Sequence, residues 1–310
     1  MNPPQLKVLT WNIWGRLNQD PRYALEGRSA RQRTLDIIRA SNADIIAMIE
    51  TYGSAADLAQ SLGYHCYTPD PEANLALFSR YPLSDVGGLS GLSTFSFIAA
   101  TAQLPNGQSL RLYDIWLTSG GRHIVEIKNT DLSDAEFAAG DDIRHAQLEQ
   151  FLAHPDLQHH LGQANQTPVL VAGDFNSVSH LDYTQKTKEA QLNYGRILDI
   201  KASQALADAG FIDSYRAVHP HITQNTLGHT WTTVGQGFAY HPDKAFYPVA
   251  DNPEPHYRDP YTRIDFIYYA GQGLKPLDAQ TIYHHPTNPS RSFPEFPSDH
   301  AAVLTTFALR

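Results

Sequence analysis

Val169-Leu170-Val171-Ala172-Gly173-Asp174-Phe175-Asn176 decides how this chain is read. Its run of β-branched and aliphatic residues predicts a buried strand, which Gly173 brings to an end. Two polar side chains, Asp174 and Asn176, arrive at the strand's carboxyl end. Residues two apart on an extended chain point to the same face, so both can address one ligand. A carboxylate can take a proton from water while a carboxamide donates to an anionic oxygen. An Asx turn accounts for Asp-Phe-Asn equally well, so the other strand ends must decide.

Working outward, the same pattern recurs. Residues 6–12 alternate as a strand that ends at Asn12, and the apolar run 43–49 is closed by Glu50. Residues 263–269 read as a strand carrying Asp265, and the last strand, 301–308, is preceded by Asp299 and His300. Residues 75–79 form a strand closed by Arg80-Tyr81-Pro82. Residues 97–104 and 109–117 predict a hairpin around Pro105-Asn106-Gly107. Helices are expected over 28–40, over 55–62 with a stop at Gly63, over 143–154 and over 202–209. Residues 120–142 are polar and read as a loop near the site. Residues 235–261, with Pro242, Pro248, Pro253, Pro255 and Pro260, form a long loop of the kind that is more often functional than idle.

Strands alternate with helices early and hairpins intervene later, which predicts mixed sheets. No repeat or linker divides the 310 residues, so a single domain over 1–310 is expected. Hydrophobic residues make up 42%, enough for a sizeable core, and no segment approaches the ~20 apolar residues of a membrane span. Cys66 is the only cysteine, which excludes an intrachain disulfide and a thiolate metal cluster. The formal charge of −9 offers no global basic field and argues against a tight duplex binder. A nuclease stays open, because a divalent cation can supply local positive charge. Met1-Asn2-Pro3-Pro4 leads almost directly into a strand, without a signal peptide. A cytoplasmic location is the expectation, or an extracytoplasmic one if Met1 replaces a cleaved leader.

Carboxylates and amides without cysteine suit a hard cation, Mg²⁺ or Mn²⁺, with Ca²⁺ as the alternative. A hard cation beside an Asp-oriented histidine is what phosphoryl chemistry requires. Taken singly, Glu50 can be a surface ion-pair partner and Asp299-His300 a turn cap. Asp265 inside an aliphatic strand demands a partner if it is buried.

Taken together, Trp11-Asn12, Glu50, Gly173-Asp174-Phe175-Asn176, Arg263-Ile264-Asp265 and Ser298-Asp299-His300 resemble the ordered motifs of the endonuclease/exonuclease/phosphatase superfamily, the DNase I-like fold. The resemblance runs from Leu6 to Phe307. It implies an α/β, four-layer sandwich: two mixed β-sheets packed face to face with helices outside. It also implies a metal-dependent phosphoesterase that cleaves a P–O bond by in-line attack of water. By that resemblance Glu50 is the principal metal ligand, with Asn12 beside it. Asp174 orients and deprotonates the water, and Asn176 holds the water or a phosphate oxygen. Asp265 fixes the tautomer of His300, His300 donates to phosphoryl oxygens, and Asp299 supports the metal or phosphate side.

Ser79-Arg80-Tyr81-Pro82 also resembles the family and reads as a structural strand terminus. Arg144, followed by Gln147, reads first as a structural ion pair and second as a substrate contact. The chain departs from the family at Trp116, where many relatives place a histidine or tyrosine. An indole donates one hydrogen bond and cannot usefully titrate. Either His300 does all the proton work, His123 substitutes, or the leaving group needs little help; His229 is a further candidate, more often structural. A phosphodiester, nuclease-like or sphingomyelinase-like, is the expected substrate; an inositol-phosphatase-like monoesterase and a non-catalytic binding protein are the alternatives. The ester can belong to a small molecule, a lipid-like compound or a nucleic acid. A monomer without a stable protein partner is expected.

Overall fold

The computed structural model describes residues 3–15, 27–121, 124–233, 238–241, 245–248, 262–286 and 295–310. Its strands are β1 (Gln5–Asn12), β2 (Ile45–Ile49), β3 (His65–Tyr67), β4 (Ala76–Ser79), β5 (Leu83–Gly88), β6 (Phe97–Gln103), β7 (Ser109–Trp116), β8 (Val169–Asp174), β9 (Ile212–Asp213), β10 (Phe238–His241), β11 (Ala245–Pro248), β12 (Asp265–Ala270), β13 (Leu274–Ile282) and β14 (Ala302–Leu309). One six-stranded sheet has the order β13-β14-β1-β2-β4-β3 and the other β5-β6-β7-β8-β12-β9, with β10-β11 a separate ribbon. In each sheet a parallel pair, β1–β2 or β7–β8, sits among antiparallel neighbours, so both sheets are mixed.

Side-chain alternation builds the layers. On β1, Leu6 and Val8 face a core shared with Ile45, Ala47, Leu112, Leu170, Ala172, Ile267 and Phe307, which lies between the sheets. Leu9 and Trp11 face the other way, under Leu35 and Ile38 of the helix Ala30–Ser41 and Leu58 of the helix Ala55–Leu62. The second sheet is covered in the same manner. Val169 and Val171 meet Leu148 and Phe151 of the helix Asp142–Leu152 and Leu206 of the helix Lys201–Asp208. The result is the four-layer α/β sandwich. Burial on both sheet faces explains why the central strands read as unbroken apolar runs. Phe307, with no exposed surface, is the kind of side chain whose burial contributes about 1.5–3 kcal/mol.

Helix ends follow local chemistry. Ser29 and Gln32 form a capping box at the start of Ala30–Ser41, and the helix Ala55–Leu62 stops at Gly63 in the left-handed conformation. The segment 120–142, expected as a loop, contains the 3₁₀ turn Ile124–Lys128 and the helix Asp134–Ala139. Ser133 and Glu136 cap that helix reciprocally. Within the expected loop 235–261, Phe238–His241 and Ala245–Pro248 pair as an antiparallel ribbon. The remainder of that segment, and His123, lie outside the described residues. β13 escapes the sequence pattern because it is a half-exposed edge strand whose register shifts between Pro276 and Asp278. Among the described residues no helix is long and apolar enough to cross a membrane.

Candidate active site

Strand direction gathers the polar residues. β1, β2 and β8 end at one rim of the sandwich, carrying Asn12, Glu50 and Asp174 there. β12 runs antiparallel to β8 and β14 antiparallel to β1, so these strands begin at the same rim. Asp265 is therefore the first residue of its strand and the register partner of Asp174, while His300 stands just ahead of β14.

Contacts at the rim are short and directional. The Asn12 carboxamide nitrogen donates to Glu50 Oε1 and to Asp174 Oδ2, each at 3.1 Å, and Asn12 Oδ1 accepts the Trp14 amide at 3.0 Å. Asn12 thus spaces two carboxylates and turns its nitrogen, not its oxygen, toward them. His300 Nδ1 lies 3.0 Å from Asp265 Oδ2, which makes that nitrogen the donor. Nε2 lies 3.9 Å from Asp174 Oδ2. Both an Asx turn and a site are present at Asp174. Asn176 is not extended but folds back at φ 47°, its amide donating to Asp174 Oδ1 at 2.9 Å. Its side-chain nitrogen donates to Leu117 O at 2.9 Å and Asp174 Oδ2 at 3.3 Å. A turn, not same-face extension, therefore brings these two residues together.

Gly173 permits this arrangement, at φ 149° where β8 presses on β7; a Cβ there would stand 1.9 Å from Ile115 O. Glu50 adopts φ 57° and its amide donates to Asn74 Oδ1 at 3.0 Å, which aims the side chain back toward Asn12.

Burial and crowding set the electrostatics. Burial, with the neighbouring Asp265 charge, pushes the Asp174 carboxyl up to about 7, against the pull of His300 and the amides of Asn176 and Asn12. Burial opposes charging of His300, but Asp265, Asp174 and Asp299 together hold it well above the ordinary imidazole value. A charged imidazolium acts as a donor. Ligand atoms of Asp174, Asp265 and His300 lie within 4.8 Å of one another, yet among the described residues no lysine or arginine pairs with either aspartate. Asp265 Oδ1 is buried without a hydrogen-bond partner. A donor set of crowded hard oxygens with an orphaned carboxylate oxygen fits a divalent cation.

A model of the Endonuclease/Exonuclease/phosphatase family matches residues 9–300. The chain belongs to this family. Family members are metal-dependent phosphoester hydrolases, and this chain is accordingly such an enzyme. An uncharacterized protein of Caenorhabditis elegans, F14F9.5, is 26% identical over 97% of the chain and 91% of its own length. Truncated TDP2 of C. elegans superposes with a TM-score of 0.58 at 18% identity, covering 98% of this chain and 97% of that one. The 3′-5′ exonuclease NExo of Neisseria meningitidis gives 0.56 at 22% identity over 97% and 98%. These likenesses carry the DNase I-like fold.

Of the other predicted residues of this family member, Asp299 and Trp116 border the carboxylate cluster, whereas Arg144 bonds to the chain after β7 and His229 lines a cavity. Arg144 is buried, its Nε 2.7 Å from Asp141 Oδ1 and its terminal nitrogens on Thr118 O, Gly120 O and Gly140 O. It is a clamp for the chain after β7 rather than a substrate contact, and Gln147 helps by accepting the Thr118 amide at 2.9 Å. Asp299 Oδ2 accepts Trp231 Nε1 at 3.1 Å. His229 is half-buried in a cavity of about 380 Å³ with Tyr215 and Trp231, and burial pushes it down to about 4, away from general-acid duty at neutral pH. Trp116 is the register partner of Asp174 and its half-buried ring meets Phe95 edge-on.

Three supporting residues have no counterpart in the predicted set of roles. Ser298 Oγ donates to Asn12 O at 2.6 Å and accepts the His300 amide at 3.0 Å. Thr230 Oγ1 accepts the amides of Ile264 and Asp265. Asn74 holds Glu50. Asn74 leaves one trace in the sequence, a polar residue just before an apolar strand. Because β4 runs antiparallel to β2, that strand's start lies at the active rim.

Proposed function

We propose that this enzyme is a phosphodiesterase in which Asp174 orients and deprotonates the attacking water. Asn12 and Asn176 hold Asp174 from both sides. Asp265 accepts the His300 Nδ1 proton in a hydrogen bond, so that Nε2 faces the phosphoryl oxygens as a charged donor. Glu50 would hold the divalent cation, Mg²⁺ or Mn²⁺, with Asn12 aligning it; Asp299, engaged by Trp231, supports His300 electrostatically. The bound cation would neutralise phosphate charge and favour the attacking hydroxide.

The observation that carries the reading is the Asp265–His300–Asp174 alignment, at 3.0 and 3.9 Å, in a rim whose aspartates have no lysine or arginine partner among the described residues. The same scarcity of positive charge favours a diester. A monoester carries roughly −1.5 to −2 at neutral pH, since its second ionisation falls near pH 6. A diester carries a single charge, which His300 and one cation can meet. The retained Asp174 and His300 constellation argues against a non-catalytic role. The test compares hydrolysis of an aryl phosphodiester and an aryl phosphomonoester with Mg²⁺, Mn²⁺ and Ca²⁺ and a chelator control. Faster turnover of the monoester overturns the diester assignment, and turnover that survives chelation overturns the metal dependence.

A further inference from the structure

Beside the catalytic rim stands an aromatic pair that the chemistry above does not use. Phe95 keeps 44% of its surface exposed, and its ring meets that of Trp116 at 5.2 Å and 87°. Scattered exposed apolar side chains are ordinary and need no explanation. This one differs in how it is held. Phe95 O accepts the Asn74 side-chain nitrogen at 2.9 Å, and the same carboxamide accepts the Glu50 amide. Trp116 pairs in register with Asp174, so its ring stands beside the Asp174 carboxylate on one sheet face. Trp116 N also donates to Ser96 O at 2.9 Å. The backbone of both residues is therefore tied to Asn74 and Asp174, at the rim that carries Glu50.

The turn that carries Phe95 is stiff. Ser93 Oγ accepts the Phe95 amide at 3.2 Å, and Ser93 O accepts the amides of Ser96 and Phe97. An edge-on pair leaves ring faces open to a third ring. The chain neighbours of Phe95, Ser93 and Thr94, are exposed polar residues. An acyl tail needs a long apolar trough, whereas a flat heterocycle needs one ring-sized platform. The Trp116 indole N–H has no acceptor among the described residues, which leaves a donor for a ring carbonyl or phosphate oxygen.

We propose that Phe95 and Trp116 are a stacking platform for a nucleobase next to the scissile phosphate, and that the substrate is a nucleic acid strand whose base is unpaired there. This rests on the phosphodiesterase reading and adds the substrate class. A base inside a duplex already has both faces stacked, so it cannot reach a platform without leaving the helix.

The experiment uses short single-stranded oligonucleotides, identical except that one carries base-free tetrahydrofuran residues on both sides of the cleaved phosphate. The readout is the ratio of kcat/KM with and without bases. Stacking predicts a ratio of roughly tenfold or more in the unaltered enzyme, carried by KM. Phe95→Ala should bring the ratio toward unity, and Phe95→Trp should restore it. Quenching of tryptophan fluorescence by the same two oligonucleotides gives the binding ratio independently of cleavage. If neither is cleaved, the phosphodiesterase reading falls while the binding ratio still decides the platform. A ratio unchanged in Phe95→Ala of normal melting temperature overturns the proposal. So does equal cleavage of a fully paired duplex, or Phe95-dependent cleavage confined to a lipid-like diester in micelles.

Discussion

Two clusters of buried acids lie on either side of Ile264, and they are balanced in opposite ways. On one side Arg263 bonds Asp182 through Nε at 2.9 Å and Asp213 through a terminal nitrogen at 2.5 Å, and Arg216 Nε reaches Asp182 at 2.6 Å. Two carboxylates meet two guanidinium groups, and every partner is buried. On the other side Asp174 and Asp265 share a single imidazole, with Glu50 close by. The first cluster is complete as folded. The second is left short of positive charge, and that shortage is what a divalent cation can fill. Burying carboxylates serves the fold only where arginines accompany them.

The contrast breaks most sharply on paired substitutions. Asp174→Asn should lower kcat by roughly 10²–10⁴-fold while leaving the melting temperature equal or higher, because it removes a crowded charge. His300→Gln should behave alike in rate. An unchanged kcat in both would remove the basis of the mechanism. Asp182→Asn is the mirror image. It should cost about 3–5 kcal/mol of stability by leaving the guanidinium groups uncompensated, read as a shift in the denaturation midpoint. Similar stability changes at Asp174 and Asp182 would mean that the two clusters do not differ.

Cation addition sharpens the same point. At a hundredfold excess over Kd, Mg²⁺ or Mn²⁺ should stabilise the protein by about 2.7 kcal/mol, a rise in melting temperature that chelation reverses and Glu50→Gln largely abolishes. A rise that Glu50→Gln leaves intact would place the cation elsewhere. The smallest effect concerns Asp114, an acid outside both clusters that is fully buried between the sheets. Neither of its oxygens closes a hydrogen bond, although the amides of Ala76, Met48 and Ile115 face it. Burial pushes its carboxyl well up, against the pull of those amides. The folded state then holds a proton that the unfolded chain releases near pH ~4. Its contribution is complete below that pH and declines as the pH rises toward the folded-state value. Asp114→Asn should flatten this slope and gain about 1–2 kcal/mol at pH 7. Equal slopes in both proteins would show that Asp114 is ionised in the fold.

The rim is legible in the sequence because strand ends are. Asn12, Glu50 and Asp174 each close an apolar run, and Asp299-His300 precedes one, so their common feature is visible without knowing which strands pair. The pairing itself is not encoded locally. That β12 and β14 run against β8 and β1 depends on tertiary burial, and so does the role of Asn74, which matters only because β4 returns beside β2. Polar residues that bond to backbone are hidden for the same reason: Thr230 and Ser298 look like any hydroxyl in a loop until their amide partners are in place. At Asn176 the sequence allows both extension and an Asx turn, and only the folded backbone, with its left-handed φ, decides for the turn. The clamp at Arg144 can be read from its helical face together with Gln147.

β1 and β14 lie side by side, with the Leu309 amide donating to Pro4 O at 2.9 Å, and the indole of Trp11 reaches the carbonyl of His300 across 289 positions of sequence. During translation a nascent chain therefore carries Asn12, Glu50, Asp174 and Asp265 long before His300 emerges. The ribosome releases catalytic competence last, and a product truncated ahead of His300 lacks the charged donor of the site.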